Sequence, residues 1–183
     1  MATTIQEVSE LLDSIGIKYE KHDDFQNALT VAYSTETYVY QSDTGEKKRV
    51  VIFIEILESG ELVNLVAPFV YRCPNNFDKS KKLALFQALL EIQTKFKYIR
   101  FIYDSDDGQI QIKMPIALED APLTSKVLGT CLSAIPKCLD HYHTDIMDAL
   151  NEGLLPESEE SKQKALEEFQ RQRREQRKNQ FGD

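Results

Sequence analysis

A chain of 183 residues and 21.1 kDa, 42% hydrophobic and 28% charged, has the size and composition of about one globular domain. With 22 basic against 30 acidic residues its formal net charge is −8, which excludes a generally nucleic-acid-binding surface, because that needs clustered positive charge to displace counterions from phosphates. Three cysteines exclude a small secreted disulfide framework, no run approaches the roughly 18 apolar residues of a membrane span, and Met1-Ala2-Thr3-Thr4 opens no secretory leader, so the expectation is a soluble, cytoplasmic domain.

The first element is an amphipathic helix over about residues 4–15. Ile5, Val8, Leu11, Leu12 and Ile15 recur at spacings of three and four. Thr4 with Glu7 fits a capping box, in which each side chain satisfies an orphan amide of the first turn, and Gly16 suits the left-handed position that ends a helix. Strands follow. Ile17 to Tyr19 is a short extended stretch, and Leu29 to Tyr33 is a weak strand. Thr35 to Gln41 is rich in β-branched and aromatic types, with Tyr38 and Tyr40 on one side. Ser42-Asp43-Thr44-Gly45 is a turn. In Arg49 to Leu57 the run Val50 to Ile54 reads as a central strand covered on both faces. Glu58 to Glu61 turns the chain into Leu62 to Tyr71, with Pro68 weakening the far end.

Pro74-Asn75-Asn76 breaks the pattern before a second helix over about residues 78–95. Leu83, Phe86, Leu89, Leu90 and Phe96 are assigned to its apolar face, and Lys79, Lys81, Lys82 and Glu91 to its wet face. Lys97 to Tyr103 is a strand and Asp104 to Gly108 a hairpin turn. Ile110, Ile112, Met114 and Ile116 alternate with polar residues as a half-buried strand. A third helix spans about residues 121–151, from Val127 through Leu139 to Leu150. Pro136 within it predicts a kink or a break, since proline removes a backbone donor and clashes with the preceding turn. Gly153 and Pro156 end the globular part.

The order is helix, three-strand meander, helix, two-strand hairpin, long helix. Turns this short cannot make parallel crossovers, so the class is α+β with an antiparallel sheet of about five strands, covered by helices. Residues 1–155 form the domain. Residues 156–183 form a charged tail in which Arg171, Arg173, Arg174, Arg177 and Lys178 face a single Glu175, whereas residues 1–150 hold 15 basic and 22 acidic residues.

The element order resembles the YbjN-type domains, whose fold is that of type III secretion chaperones. The resemblance is carried by Leu83-Ala84-Leu85-Phe86-Gln87-Ala88-Leu89-Leu90-Glu91-Ile92-Gln93, then Tyr98-Ile99-Arg100-Phe101. The Asp-rich turn at 104–108, the strand Ile110 to Met114 and Pro115-Ile116-Ala117-Leu118 before the last helix continue it. It covers about residues 3–150 and is nearest to an uncharacterised cyanobacterial branch of that group. The resemblance implies no enzyme activity. It implies binding of another protein or an extended segment of one, with a homodimer as one form, in an adaptor or regulatory capacity.

Candidate chemistry is sparse. On a helix His141 and Asp145 share a face, but His143 lies about 200° round from His141, and two ligands make no metal site. Asp104, Asp106 and Asp107 miss the calcium-loop spacing, since glycine stands fifth and Pro115 twelfth; a hairpin explains them. Cys73, Cys131 and Cys138 have no redox or zinc spacing and read as buried small side chains. No phosphate-loop, dinucleotide, nucleophile-elbow or HExxH motif is present. No catalytic residue, cofactor or metal is assigned. The residues nominated for a partner are the strand aromatics Tyr38, Tyr40, Phe69 and Tyr71, which would form a patch on an uncovered sheet face, and the tail's Arg171, Arg173, Arg174 and Arg177. The leading expectation is a non-enzymatic protein-binding module without membrane insertion. The alternatives are a nucleic-acid-associated regulator working through the tail, and a small-molecule binder or enzyme with a pocket between sheet and last helix, near His141.

Overall fold

The computed structural model of the chain describes residues 2–21, 28–42, 45–119 and 121–155. The tail 156–183, with its four nominated arginines, lies outside the described residues, as do Asp43 and Thr44 of the expected turn. The elements are α1 (Ile5–Ser14), β1 (Tyr19–Lys21), β2 (Ala28–Ser34), β3 (Tyr40–Ser42), β4 (Gly45–Lys47), β5 (Arg49–Leu57), β6 (Leu62–Arg72), α2 (Lys79–Lys95), β7 (Arg100–Tyr103), β8 (Gln109–Ala117) and α3 (Ser125–Glu152).

The class is the expected one, α+β with an antiparallel sheet. The main sheet has six strands in the order β1-β2-β5-β6-β8-β7, and β3 with β4 forms a separate ribbon. Register builds the core. Leu29, Ile54, Leu65 and Met114 pair across four strands in one row, Val31 pairs with Ile52 and Ala67 with Ile112, and all eight are fully buried. Each of these side chains apart from Ala67 contributes roughly 1.5–3 kcal/mol by leaving water. β5 alternates rather than being buried on both faces: Val50, Ile52 and Ile54 are buried, Val51 and Phe53 half-buried. Continuous burial occurs instead in β6, from Val63 to Ala67, because β6 lies mid-sheet between β5 and β8.

α1 begins at the predicted cap. Thr4 Oγ1 accepts from the Glu7 amide at 3.2 Å, and the Glu7 carboxylate accepts from the Thr4 amide at 2.8 Å. Its stripe buries Val8 and Leu12 completely. α3 starts at Ser125, later than expected, because Ala121 precedes Pro122 and is biased away from the helical region, while Thr124 supplies the cap, accepting from the Val127 amide at 3.2 Å. The helix runs as one element through Pro136 rather than breaking there. Leu128, Leu132 and Ile135 before the proline and Leu139 and Ile146 after it are all fully buried, so packing on both sides outweighs one missing backbone bond. These side chains belong to the same core cluster as the buried residues of the sheet.

Candidate partner-binding site

The expected strand at Thr35 to Gln41 is a loop over residues 35–39 followed by β3. The cause is Asp140 on α3. Its carboxylate accepts the amides of Glu36 at 3.0 Å, Thr37 at 2.9 Å and Tyr38 at 2.9 Å. Three charge-assisted bonds outweigh the strand preference of the aromatics. Burial opposes the charge, but these amides, with His143 nearby, hold the Asp140 carboxyl below its ordinary value.

The loop drives Tyr38 inward. Tyr38 is 1% exposed and Tyr71 6%. Their rings meet edge to face at 5.8 Å, and His143 stacks on Tyr71 at 6.0 Å and meets the Tyr38 ring edge-on at 5.5 Å. The Tyr38 hydroxyl donates to the Val70 carbonyl at 3.0 Å, and the Tyr71 hydroxyl pairs with His143 Nδ1 at 3.2 Å. The two tyrosines nominated for a surface patch are therefore core residues that clasp the loop, β6 and α3 together. Tyr40 is half-buried on β3. Phe69 alone of the four is well exposed, at 52%. It sits at the irregularity in β6 between Ala67 and Tyr71, with φ of 52°.

Burial shifts the ionisable groups in and near the clasp toward their neutral forms. Burial pushes the Tyr38 and Tyr71 phenols up, and the Cys138 thiol up to about 12. Burial also raises the thiols of Cys73 and Cys131, and it lowers His143 against the pull of Asp140. His141 is exposed. Among the described residues no group of three or more His, Cys, Asp or Glu side chains is placed to hold a metal. The Asp-rich turn builds a hairpin. Asp104 Oδ1 accepts the Asp106 amide at 2.9 Å, Asp107 Oδ1 accepts the Gln109 amide at 2.8 Å, and Gly108 has φ of 74°.

A surface that the sequence assigned to the core lies on α2. Asp78 caps the helix, accepting from Ser80 and Lys81 amides. The buried face is Ala84, Leu85, Ala88, Leu89 and Ile92, while Leu83 and Leu90 are 60% and 61% exposed. The expected face is thus rotated. Ala84 and Ala88, one turn apart, cluster with Ala149 of α3; where two helices approach over alanines, the longer side chains are displaced sideways. Leu85, Leu89 and Ile92 go to the core, and Leu83 and Leu90 to water.

Beside them, Phe86, Leu89, Leu90, Gln93, Phe101, Tyr103 and Ile110 line an apolar groove of about 210 Å³ between α2 and β7. β7 is an edge strand. Gln93 Oε1 accepts the outward Phe101 amide at 2.6 Å. Lys82 lies across the groove mouth, its ammonium 2.8 Å from the Tyr103 hydroxyl and 4.5 Å from the centre of that ring. The charge here opposes the rest of the molecule. Residues 79–100 carry Lys79, Lys81, Lys82, Lys95, Lys97 and Arg100 against Glu91, whereas the remainder of residues 1–155 carries nine cations and 22 carboxylates. Lys81 binds the Asn151 carbonyl and Lys95 lies 5.4 Å from the Tyr142 ring centre. Lys81, Lys82 and Lys95 meet a carbonyl, a phenol and a ring respectively. The helix is legible in sequence; its rotation depends on where α3 lands.

No family model and no curated protein matches the chain. Among solved structures it is similar to YbjN from E. coli, a proposed transcription regulator, with a TM-score of 0.53 over 79% of this chain and 94% of that one. The fold is YbjN-like. At 11% identity the likeness extends to the fold alone. The YbjN-like architecture bears out the expected order of helices around an antiparallel sheet, and no helix among the described residues is long and apolar enough to cross a membrane.

Proposed function

We propose that this YbjN-like chain is a non-enzymatic protein-binding module, adaptor-like or chaperone-like, that works through the α2–β7 surface. One observation carries the reading: Leu83 and Leu90 stand in water on a basic helix beside an apolar groove, in a fold that is otherwise acidic. Apolar side chains rimmed by charge mark interaction surfaces. The likeness to YbjN, described as a proposed transcription regulator, supports a regulatory setting, and the secretion-chaperone resemblance supports binding of a protein segment.

The test is capture from native lysate on immobilised full-length chain, quantified by mass spectrometry, against the Leu83→Ser/Leu90→Ser variant. Both side chains are largely exposed, so the variant keeps its core. A protein retained by the parent and reduced at least tenfold on the variant supports the reading. An identical retained set on both overturns it. A second reading, a nucleic-acid-associated regulator, is favoured by the Arg171 to Lys178 run together with the description of YbjN. It expects salt-sensitive binding of nucleic acid that Arg171→Ala, Arg173→Ala, Arg174→Ala and Arg177→Ala together abolish.

A further inference from the structure

We infer that the α2–β7 groove is covered by the chain's own residues 157–169, so that a partner must displace an internal competitor. The inference rests on the reading of this surface as the binding site and names its regulation.

Three observations point to this occupant. The first is position. The described fold ends at Leu155, just after Gly153, and a Cβ added at Gly153 would lie 3.4 Å from Lys81 Cγ. The Lys81 ammonium also holds the Asn151 carbonyl. The chain therefore leaves the fold beside the first turn of α2. The second is reach. Lys81 to Leu90 is about 14 Å along a helix axis. The eleven residues from Leu155 to Leu166 cover about 16 Å as a helix and more if extended, so Leu166 reaches Leu90 in either conformation.

The third is complementarity. Residues 157–169 carry Glu157, Glu159, Glu160, Glu167 and Glu168 against Lys162 and Lys164, and their large apolar side chains are Leu166 and Phe169. The groove offers the converse: Phe86, Leu89, Leu90, Phe101 and Tyr103 for the apolar pair, with Lys82 on the Phe86 and Tyr103 rings and Lys79, Lys95 and Lys97 in the same basic stretch of sequence. Lys82, held by a phenol at the groove mouth, is placed to exchange that partner for a carboxylate. An acidic sequence with two apolar anchors is thus tethered next to a basic surface with an apolar groove. A tether of this length gives the anchors an effective concentration on the order of millimolar, so weak contacts suffice to cover the groove.

The experiment uses the full chain treated with a zero-length carbodiimide, which joins carboxylates to amines already in contact. The links are read by peptide mass spectrometry on an equimolar mixture of light and nitrogen-15-labelled chains. The expected result is amides within one chain between Lys79, Lys82, Lys95 or Lys97 and Glu157, Glu159, Glu160, Glu167 or Glu168. Leu166→Ser/Phe169→Ser keeps every charge and leaves every described residue unchanged; it should lower the yield of these links at least fivefold. Links confined to other pairs overturn the inference. So does an unchanged yield in the double variant, which would mean charge attraction without docking. Links only between light and heavy chains also overturn it, because the occupant would then be the tail of a second copy. The outcome is separable from the proposed function. A partner lost with Leu83 and Leu90 but no internal links removes only this inference, whereas internal links without such a partner remove only the adaptor reading.

Discussion

Replacing Asp140 by alanine tests the account of the loop over residues 35–39. The carboxylate accepts three backbone amides at 2.9–3.0 Å. A hydrogen bond to a charged group contributes about 1.5–3 kcal/mol when enclosed. Asp140 is half-buried, so water can replace part of each bond, and about 1 kcal/mol per amide is the appropriate scale. Asp140→Ala should therefore lose about 2–3 kcal/mol in urea unfolding and lower Tm by about 5–10 °C. Asp140→Asn keeps an acceptor oxygen and should lose about half as much. The pH dependence gives a second handle. Folding lowers this carboxyl's pKa, so its stabilisation is complete above the ordinary value of about 3.9 and disappears as pH falls through the lower folded value. In Asp140→Asn that part of the acid limb should vanish. A loss under about 0.5 kcal/mol in Asp140→Ala, or an unaltered acid limb in Asp140→Asn, would refute the claim that this side chain holds the loop.

Other substitutions test separate features. His143, whose pKa burial lowers, should contribute stability that is complete above about pH 6.5 and lost as pH falls toward its folded value; denaturant titrations of His143→Phe should show a flatter slope across that window. Ala88→Leu should cost about 1–3 kcal/mol by crowding α2 against α3, while Leu90→Ala should stay within about 0.5 kcal/mol of the parent; the reverse ranking would restore the apolar face expected from sequence. Gly108→Ala should cost roughly 2 kcal/mol or more in the same assay, since its φ is 74° and an added Cβ would stand 2.5 Å from the Cys73 carbonyl oxygen.

Features written within a few residues were legible. The Thr4–Glu7 cap, the period-two strand at Ile110 to Ile116 and the Asp104 to Gly108 hairpin each depend on neighbours in sequence, and each stands where the pattern put it. The misplaced features depend on distant residues. Tyr38 looked like a surface strand residue because nothing near it announces that Asp140, 102 positions on, will take its amide. Leu83 and Leu90 looked like core because α2 is apolar on several sides; only the Ala84, Ala88 and Ala149 contact decides which stripe faces inward. The Ala84–Ala88 spacing was the available clue. The same limit applied to the binding surface: the excess of lysine on α2 was visible, but its place beside an apolar groove required the register of β7 against β8.

The sheet order also has a consequence for synthesis. β6, the most continuously buried strand, pairs with β5 as a local hairpin from Leu57 and Leu62, but its other neighbour, β8, is completed only at Ala117, 45 residues beyond Arg72. At about 5–20 residues per second, β6 stands as an unpaired edge of eleven residues for about two to nine seconds on a growing chain. In that interval the edge of β6 that later pairs with β8 has no partner strand, and α3, which follows β8 in the chain, is not yet made. Ribosome-associated holding factors therefore have their clearest target in β6 of the incomplete sheet, before the α2–β7 surface has formed.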